Sequence, residues 1–157
     1  MNTISIAMKT TRIEISQRSR QWISLTGILV LAVGLKIVLL LLDRFPFNSD
    51  EAVVALMARH ILSGERPIFF YGQAYMGSLD AWLVAIGFAA FVQQVWVIRL
   101  VQTLLYLFTI ITTVWIGKEF LRSPKIGLGA GLLLAAPTVN VTLYTTVSLG
   151  GYGEALL

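Results

Sequence analysis

The chain has 157 residues, of which 57% are hydrophobic and 13% charged, with twelve Lys and Arg against eight Asp and Glu. Apolar residues gathered in long blocks at that frequency mark an integral membrane protein; a soluble nucleic-acid binder, which needs its cations on the basic face of a water-soluble domain, is excluded. The absence of cysteine rules out disulfides and thiolate metal sites.

Residues 1–21 carry Lys9, Arg12, Arg18 and Arg20 against the single acid Glu14. Short cytoplasmic segments are enriched in Lys and Arg, so this tail is expected inside the cell. Residues 22–42, WISLTGILVLAVGLKIVLLLL, hold one charge, Lys36. They match the roughly 20 helical residues that cross a hydrocarbon core about 30 Å thick. The run is too long for the apolar core of a signal peptide, and LLLLDRFPF offers no small-residue cleavage site. Lys36 lies about 9 Å from the outer end of this span, within snorkelling reach of the interface, and an ionisable group at that depth is a functional suspect.

The next stretch, 43–98, is expected to lie outside as one large loop resting on the membrane. Asn48 or Ser49 can cap a surface helix over about 50–63, with Gly64 as its stop. Val53, Leu56, Met57 and Ile61 recur at helical spacing and would face lipid, leaving Arg59 and His60 on the polar side. GERPIFFYGQAYMGS reads as an irregular connector. A second surface helix follows at 79–92, LDAWLVAIGFAAFV, about 21 Å long and too short to span comfortably. Stretching it to Ile98 would leave no turn before residue 100 and would turn Lys118, Arg122 and Lys125 outward. Trp22 and Trp115 mark the inner interface, and Phe45, Phe47, Phe69, Phe70, Tyr71 and Trp96 the outer one.

A second span is expected at 99–117, a basic cytoplasmic loop at 118–125 and a third span at 126–146. Gly127 and Gly131 form a GxxxG, a signal for close helix packing, and Pro137 should bend the third helix because it lacks a backbone donor. Residues 147–157 emerge outside with Tyr152 and Glu154, and the abrupt apolar ending suits a piece of a longer chain. The fold class is therefore all-α, a polytopic membrane bundle with juxtamembrane helices in its first external loop.

The adjacent acids Asp50 and Glu51 pose the functional question. Acids in the first turn of a helix offset its positive end by about 0.3–1 kcal/mol each. Alternatively, one acts as a general base toward an acceptor hydroxyl while cations receive a departing phosphate. Neighbouring helical residues point about 100° apart, so only one of the pair can face a reacting centre and the other would orient or support it.

An N-terminal span, DEA opening an external helix, ARHILSGE, GQAYMGSLDAWL, IRLVQTLLYLFTIITTVWIGKEFL and a Gly-rich third span follow one another in that order. Over roughly residues 22–157 this order resembles the amino-terminal part of GT-C type membrane glycosyltransferases, with the family 39 group of protein O-mannosyltransferases and lipid A aminoarabinose transferases the most similar. The resemblance implies a polyprenyl-phosphate sugar donor, Asp50 as catalytic base with Glu51 beside it, and a first external loop that lies on the membrane without crossing it. It also implies a multi-pass cell-membrane location. The aminoarabinose group has a second acid in a KP-rich connector; here that stretch reads AYMGSLDAW, with Gly77 near the place and Asp80 later.

Candidate substrate-binding residues are Arg59, His60, Arg66, Tyr75, Asp80 and Glu154; Arg59, His60, Arg66 and Arg99 could equally meet lipid headgroups. His60, without a cysteine or a second histidine, makes no protein metal site. No cofactor is expected, and an ion held by carboxylates stays open. The rival reading is a noncatalytic membrane protein, a transporter fragment or an assembly subunit, whose acids only cap helices. A transporter would place its polar groups at the bilayer midplane within repeats, whereas these acids concentrate at one surface and no repeat is present.

Overall fold

The structure, a computed structural model, describes residues 3–157, with side chains described for 19–73 and 75–157. Lys9, Arg12 and Arg18 of the basic tail lie outside the residues whose side chains are described. The chain is mostly helical. Its elements are α1 (Thr3–Leu41), α2 (Ser49–Leu62), β1 (Phe69–Phe70), β2 (Gln73–Gly77), α3 (Leu79–Ala90), α4 (Val95–Glu119), α5 (Pro124–Ala135), α6 (Val139–Tyr144) and α7 (Tyr152–Ala155).

Among the described residues, two helices are long and apolar enough to cross a membrane: Ser19–Leu41 within α1 and the whole of α4. At 1.5 Å per residue they extend about 34 and 37 Å. Each turns large apolar side chains outward, among them Val30, Ile37, Val38 and Leu41 on α1 and Leu104, Phe108 and Trp115 on α4.

The two helices run antiparallel. At one end, Gln21, Trp22 and Leu25 share a pocket with Trp115 and Lys118 of α4 and Pro124 of α5. At the other end, just past α1, the Phe45 carbonyl accepts a 2.8 Å hydrogen bond from Arg99 Nη2, near the start of α4. The insertion between them, 43–98, therefore leaves and rejoins the bundle at the same end. Its helices α2 and α3 pack on each other and on the first turns of α4 around Val54, Met57, Ala58, Val84, Ala85, Phe88, Val97 and Ile98. A second core joins Ile28 and Ala32 of α1 to Tyr106 and Ile110 of α4 and Ala135 of α5.

Local sequence accounts for most boundaries. Asn48 caps α2, its Oδ1 accepting from the Glu51 amide at 2.9 Å, as its placement ahead of the helix predicts. Gly64, at φ +102°, ends it in the left-handed conformation that glycine adopts without penalty. Gly127 and Gly131 set the approach of α5 to α4: a Cβ on Gly127 would lie 2.5 Å from the Val114 carbonyl oxygen, and one on Gly131 2.6 Å from Val114 Cγ2.

The structure departs from the sequence-based expectation in four places. The basic tail and first span, expected as separate segments over 1–21 and 22–42, form one helix from Thr3, because nothing between Thr3 and Leu41 breaks helical geometry. The connector after α2 is not irregular: β1 and β2 form an antiparallel hairpin around Tyr71 and Gly72 with a register shift between Phe69 and Phe70, so the fold is not purely all-α. Gly72 makes the turn at φ +80°. The α2 face expected to meet lipid is divided, with Met57 fully buried and Leu56 exposed, because α3 and α4 cover the stripe Glu51, Val54, Met57 and Ala58. The segment 126–146 is not one bent helix. Helix α5 stops at Ala135, and α6 begins two residues after Pro137, which supplies no amide hydrogen to continue the ladder. The segment 147–157 carries α7, which packs on α4 and on α3 of the insertion.

Candidate functional site

The end of the bundle that carries the insertion gathers polar groups from five parts of the chain. In the first turn of α2, Asp50 and Glu51 take different directions. Glu51 has no exposed surface and pairs with Arg99, whose side chain is 16% exposed. The pair is two-pronged, with Nε to Oε1 at 3.2 Å and Nη2 to Oε2 at 3.3 Å. Since Arg99 Nη2 also reaches the Phe45 carbonyl, one guanidinium holds the end of α1, the start of α2 and the start of α4 together. Asp50 is half-buried and has no ion-pair partner among the described residues. The division follows from the 100° step between helical neighbours: when Glu51 turns inward toward α4, Asp50 cannot.

Beside this clamp stands a buried polar cluster. Asp80, in the first turn of α3 and 2% exposed, accepts from Gln102 Nε2 at 2.7 Å and from the Ser148 hydroxyl. Burial pushes its carboxyl up to about 6, against the lowering effect of those two donors, and the charge of Glu51 adds to the rise. Glu154 on α7 is pushed up to about 7, first by burial and then by the charge of Asp80. Both carboxylate oxygens of Glu154 and the Oε1 of Gln102 are buried without a hydrogen-bond partner.

The remaining candidates lie apart from this cluster. Arg59 is exposed beside an open groove of about 530 Å³ that Gln93, Gln94 and Trp96 also line. His60 Nδ1 is 3.0 Å from the Tyr71 hydroxyl, which donates to Glu65 at 2.9 Å. That bond raises Tyr71 above its ordinary range, since the charged acceptor stabilises the protonated phenol. The trio pins the hairpin to the end of α2. Arg66 and Tyr75 are exposed, and neither forms an ion pair or a side-chain hydrogen bond among the described residues.

Lys36 is buried at 4% exposure. Its ammonium donates to Thr145 Oγ1 at 3.1 Å, to Thr146 Oγ1 at 2.9 Å and to the Thr145 carbonyl, and it lies 4.4 Å from the centre of the Tyr106 ring. With all three donors committed at the C-terminal end of α6, it fastens the broken third segment to α1, where a cation suits the negative end of a helix. An apolar cavity of about 290 Å³ adjoins it, bordered by Tyr106, Pro137 and Thr142.

Sequence reasoning did not single out Gln102 or Ser148. Gln102 was detectable as an amide inside LVQTLLYLF, since a polar residue within an apolar helix marks a functional or packing contact; Ser148, in a short polar stretch, carried no such mark. The pairing of Glu51 with Arg99 spans 48 positions and has no local signature. No three His, Asp or Glu side chains among the described residues converge in a way that would hold a metal.

No family model, curated protein or solved structure matches this chain.

Proposed function

We propose that this chain is part of a multi-pass membrane glycosyltransferase that moves a sugar from a polyprenyl-phosphate donor to an acceptor hydroxyl with inversion. The observation that carries the reading is the division of labour in the acid pair. Glu51 is buried and locked to Arg99, while Asp50, its neighbour, stands half-exposed and unpaired among the described residues at the same end of the bundle. One carboxylate is thereby fixed as support, and the other is left available as a base.

In the proposed step, the acceptor oxygen attacks the anomeric carbon as its proton passes to Asp50. The bond from that carbon to the phosphate oxygen breaks, its electron pair leaving with the polyprenyl phosphate. Arg59 and Arg66 are the candidate cations for that phosphate, with His60 as a candidate hydrogen-bond donor to it and Tyr75 as a candidate sugar contact. The antiparallel pairing of α1 and α4 supports a layout in which residues 43–98 rest on the outer leaflet and the N-terminus lies in the cytoplasm. The apolar outward faces of both helices support a place in the cell membrane, with lipids as immediate neighbours.

Two experiments test this. Asp50→Asn in the full-length protein should lower transfer from a labelled polyprenyl-phosphate sugar by about 10²–10⁴-fold while leaving membrane insertion unchanged; near-normal turnover refutes the assignment. Because the chain contains no cysteine, single cysteines at positions 50, 90 and 120 report topology directly. Positions 50 and 90 should react with an impermeant thiol reagent outside, and 120 only after permeabilisation. The rival, a noncatalytic subunit held together by the Glu51–Arg99 clamp, predicts no sugar transfer by either form and no loss in Asp50→Asn.

A further inference from the structure

The end of the bundle opposite the insertion holds a pocket of about 170 Å³ between α1, α4 and α5. Its α4 wall is one helical stripe, Ile111, Trp115 and Lys118. Over the rise from Ile111 to Lys118, about 10 Å at 1.5 Å per residue, the wall passes from an aliphatic side chain to an ammonium. Helix α1 grades the same way, from Leu25 to the amide of Gln21, because the antiparallel helices bring their polar ends to one level. Leu128 of α5 adds a third apolar wall. Trp22 and Trp115 border the pocket and stay largely exposed, as amphipathic rings do at a membrane–water boundary.

The rim is basic. Arg20 precedes Gln21, and Arg122 and Lys125 follow Lys118 closely, against one acid, Glu119. Lys118, Arg122 and Lys125 form no ion pair among the described residues, unlike Arg99, which is locked to Glu51. The turn that carries them is fixed, since the Ser123 amide donates to the Gly117 carbonyl at 3.2 Å and its hydroxyl accepts from the Ile126 amide at 3.4 Å. Lys125 stands in the first turn of α5 with no acid beside it, where the positive end of a helix disfavours a cation. An anion at this rim would relieve that repulsion. Topology alone asks for cations at a cytoplasmic end; it does not ask for a pocket beneath them graded from aliphatic to cationic.

We propose that this pocket binds one anionic phospholipid, its phosphate held by Lys118 in the positive field of Arg122 and Lys125, and part of an acyl chain lying against Leu25, Ile111 and Leu128. Basic pockets between membrane helices on the cytoplasmic side hold anionic headgroups in this way. On the layout proposed above, this end meets the cytoplasmic leaflet, which carries the anionic lipids. The site depends on that layout for its lipid and not on the transferase chemistry.

The test uses the full-length protein in a neutral detergent, with native mass spectrometry counting retained lipids and thermal melts following stability. Phosphatidylglycerol and phosphatidylcholine with the same acyl chains are compared, so that only the headgroup differs. One phosphatidylglycerol per chain should be retained at concentrations where phosphatidylcholine is lost, and it alone should raise the melting temperature. Lys118→Gln should weaken retention about fivefold, the share of one cation near an anionic lipid, and Lys118→Arg should restore it. Ile111→Trp, which fills the apolar part, should abolish retention. Arg44→Gln, which removes an exposed cation at the opposite end, should leave retention unchanged. Lys118 is exposed, so its replacement tests the site even where the bulkier change disturbs packing. Equal retention of the two lipids, or equal losses in Lys118→Gln and Arg44→Gln, overturns the proposal. So does an equal melting shift from glycerol 3-phosphate, which carries the charge without the chains. Sugar transfer enters none of these readouts, so the lipid site and the transferase reading stand or fall separately.

Discussion

Removal of the Glu51 charge is the perturbation whose outcome the geometry constrains most tightly. Glu51→Gln keeps the volume of the side chain and the Asn48 cap on its backbone amide, but it leaves the Arg99 guanidinium without a counter-charge. Breaking a buried ion pair by removing one partner costs about 3–5 kcal/mol. The lower end applies here, about 3 kcal/mol, because Arg99 retains 16% of its side-chain exposure and its bond to the Phe45 carbonyl. In a chain of 157 residues, that corresponds to a fall in melting temperature of roughly 6–12 °C. Asp50→Asn, one residue away, removes only a favourable interaction with the helix N-terminus and should cost under about 1 kcal/mol. Replacing both partners, Glu51→Leu with Arg99→Met, removes both charges and should be milder than either single change. Thermal unfolding in detergent can be followed by tryptophan fluorescence, with Trp96 three residues from Arg99 on α4. If Glu51→Gln melts no lower than Asp50→Asn, the clamp does not hold this end of the bundle together.

Gly127→Ala and Gly131→Ala should each destabilise the protein by about 1–3 kcal/mol through overpacking against Val114. Gly129→Ala, on the same helix with nothing within 4 Å, should be neutral or stabilising, and thermal melts of the three compare them directly. Lys36→Met leaves the Thr145 carbonyl and two threonine hydroxyls without their donor, a loss of about 1–3 kcal/mol that should appear as faster proteolysis between α5 and α7. Stability should fall as pH rises from about 4 to above 7. Asp80 and Glu154 have folded-state values raised from 3.8 to about 6 and from 4.5 to about 7, so the native state holds more protons than the unfolded chain across that window. Asp80 faces Gln102, Ser148 and the charge of Glu51, and Glu154 faces the charge of Asp80; Glu154→Gln should flatten the slope in a pH series of melts.

The parts of this structure that were legible in the sequence are those set by neighbours in the chain. The Asn48 cap, the Gly64 stop, both long helices and the close approach at Gly127 and Gly131 each follow from residues a few positions apart. The hairpin was not legible, because a two-residue strand has no periodicity and its pairing depends on Gly72 taking a left-handed turn. The break near Pro137 was legible only as a bend, since whether a proline kinks or ends a helix depends on what catches the freed groups. Here Lys36, more than a hundred positions earlier, holds the far end of α6. Of the site, Asp50, Glu51, Asp80 and Glu154 were picked out as acids near one surface. Which of them is clamped, and which lack partners, depended on Arg99, Gln102 and Ser148, and no local pattern links those residues to the acids.

The bond from Arg99 to the Phe45 carbonyl, closing a separation of 54 positions, makes the insertion a module with both ends on one hinge point. Doubling the length of such a closed segment costs only about 0.6 kcal/mol of extra closure entropy. The helix pair beneath can therefore tolerate exchange of what it displays, and relatives of this chain could carry longer or shorter excursions on the same base. A graft that spans residues 46–98 and preserves the Arg99 latch is the natural unit for exchanging what this end of the bundle displays.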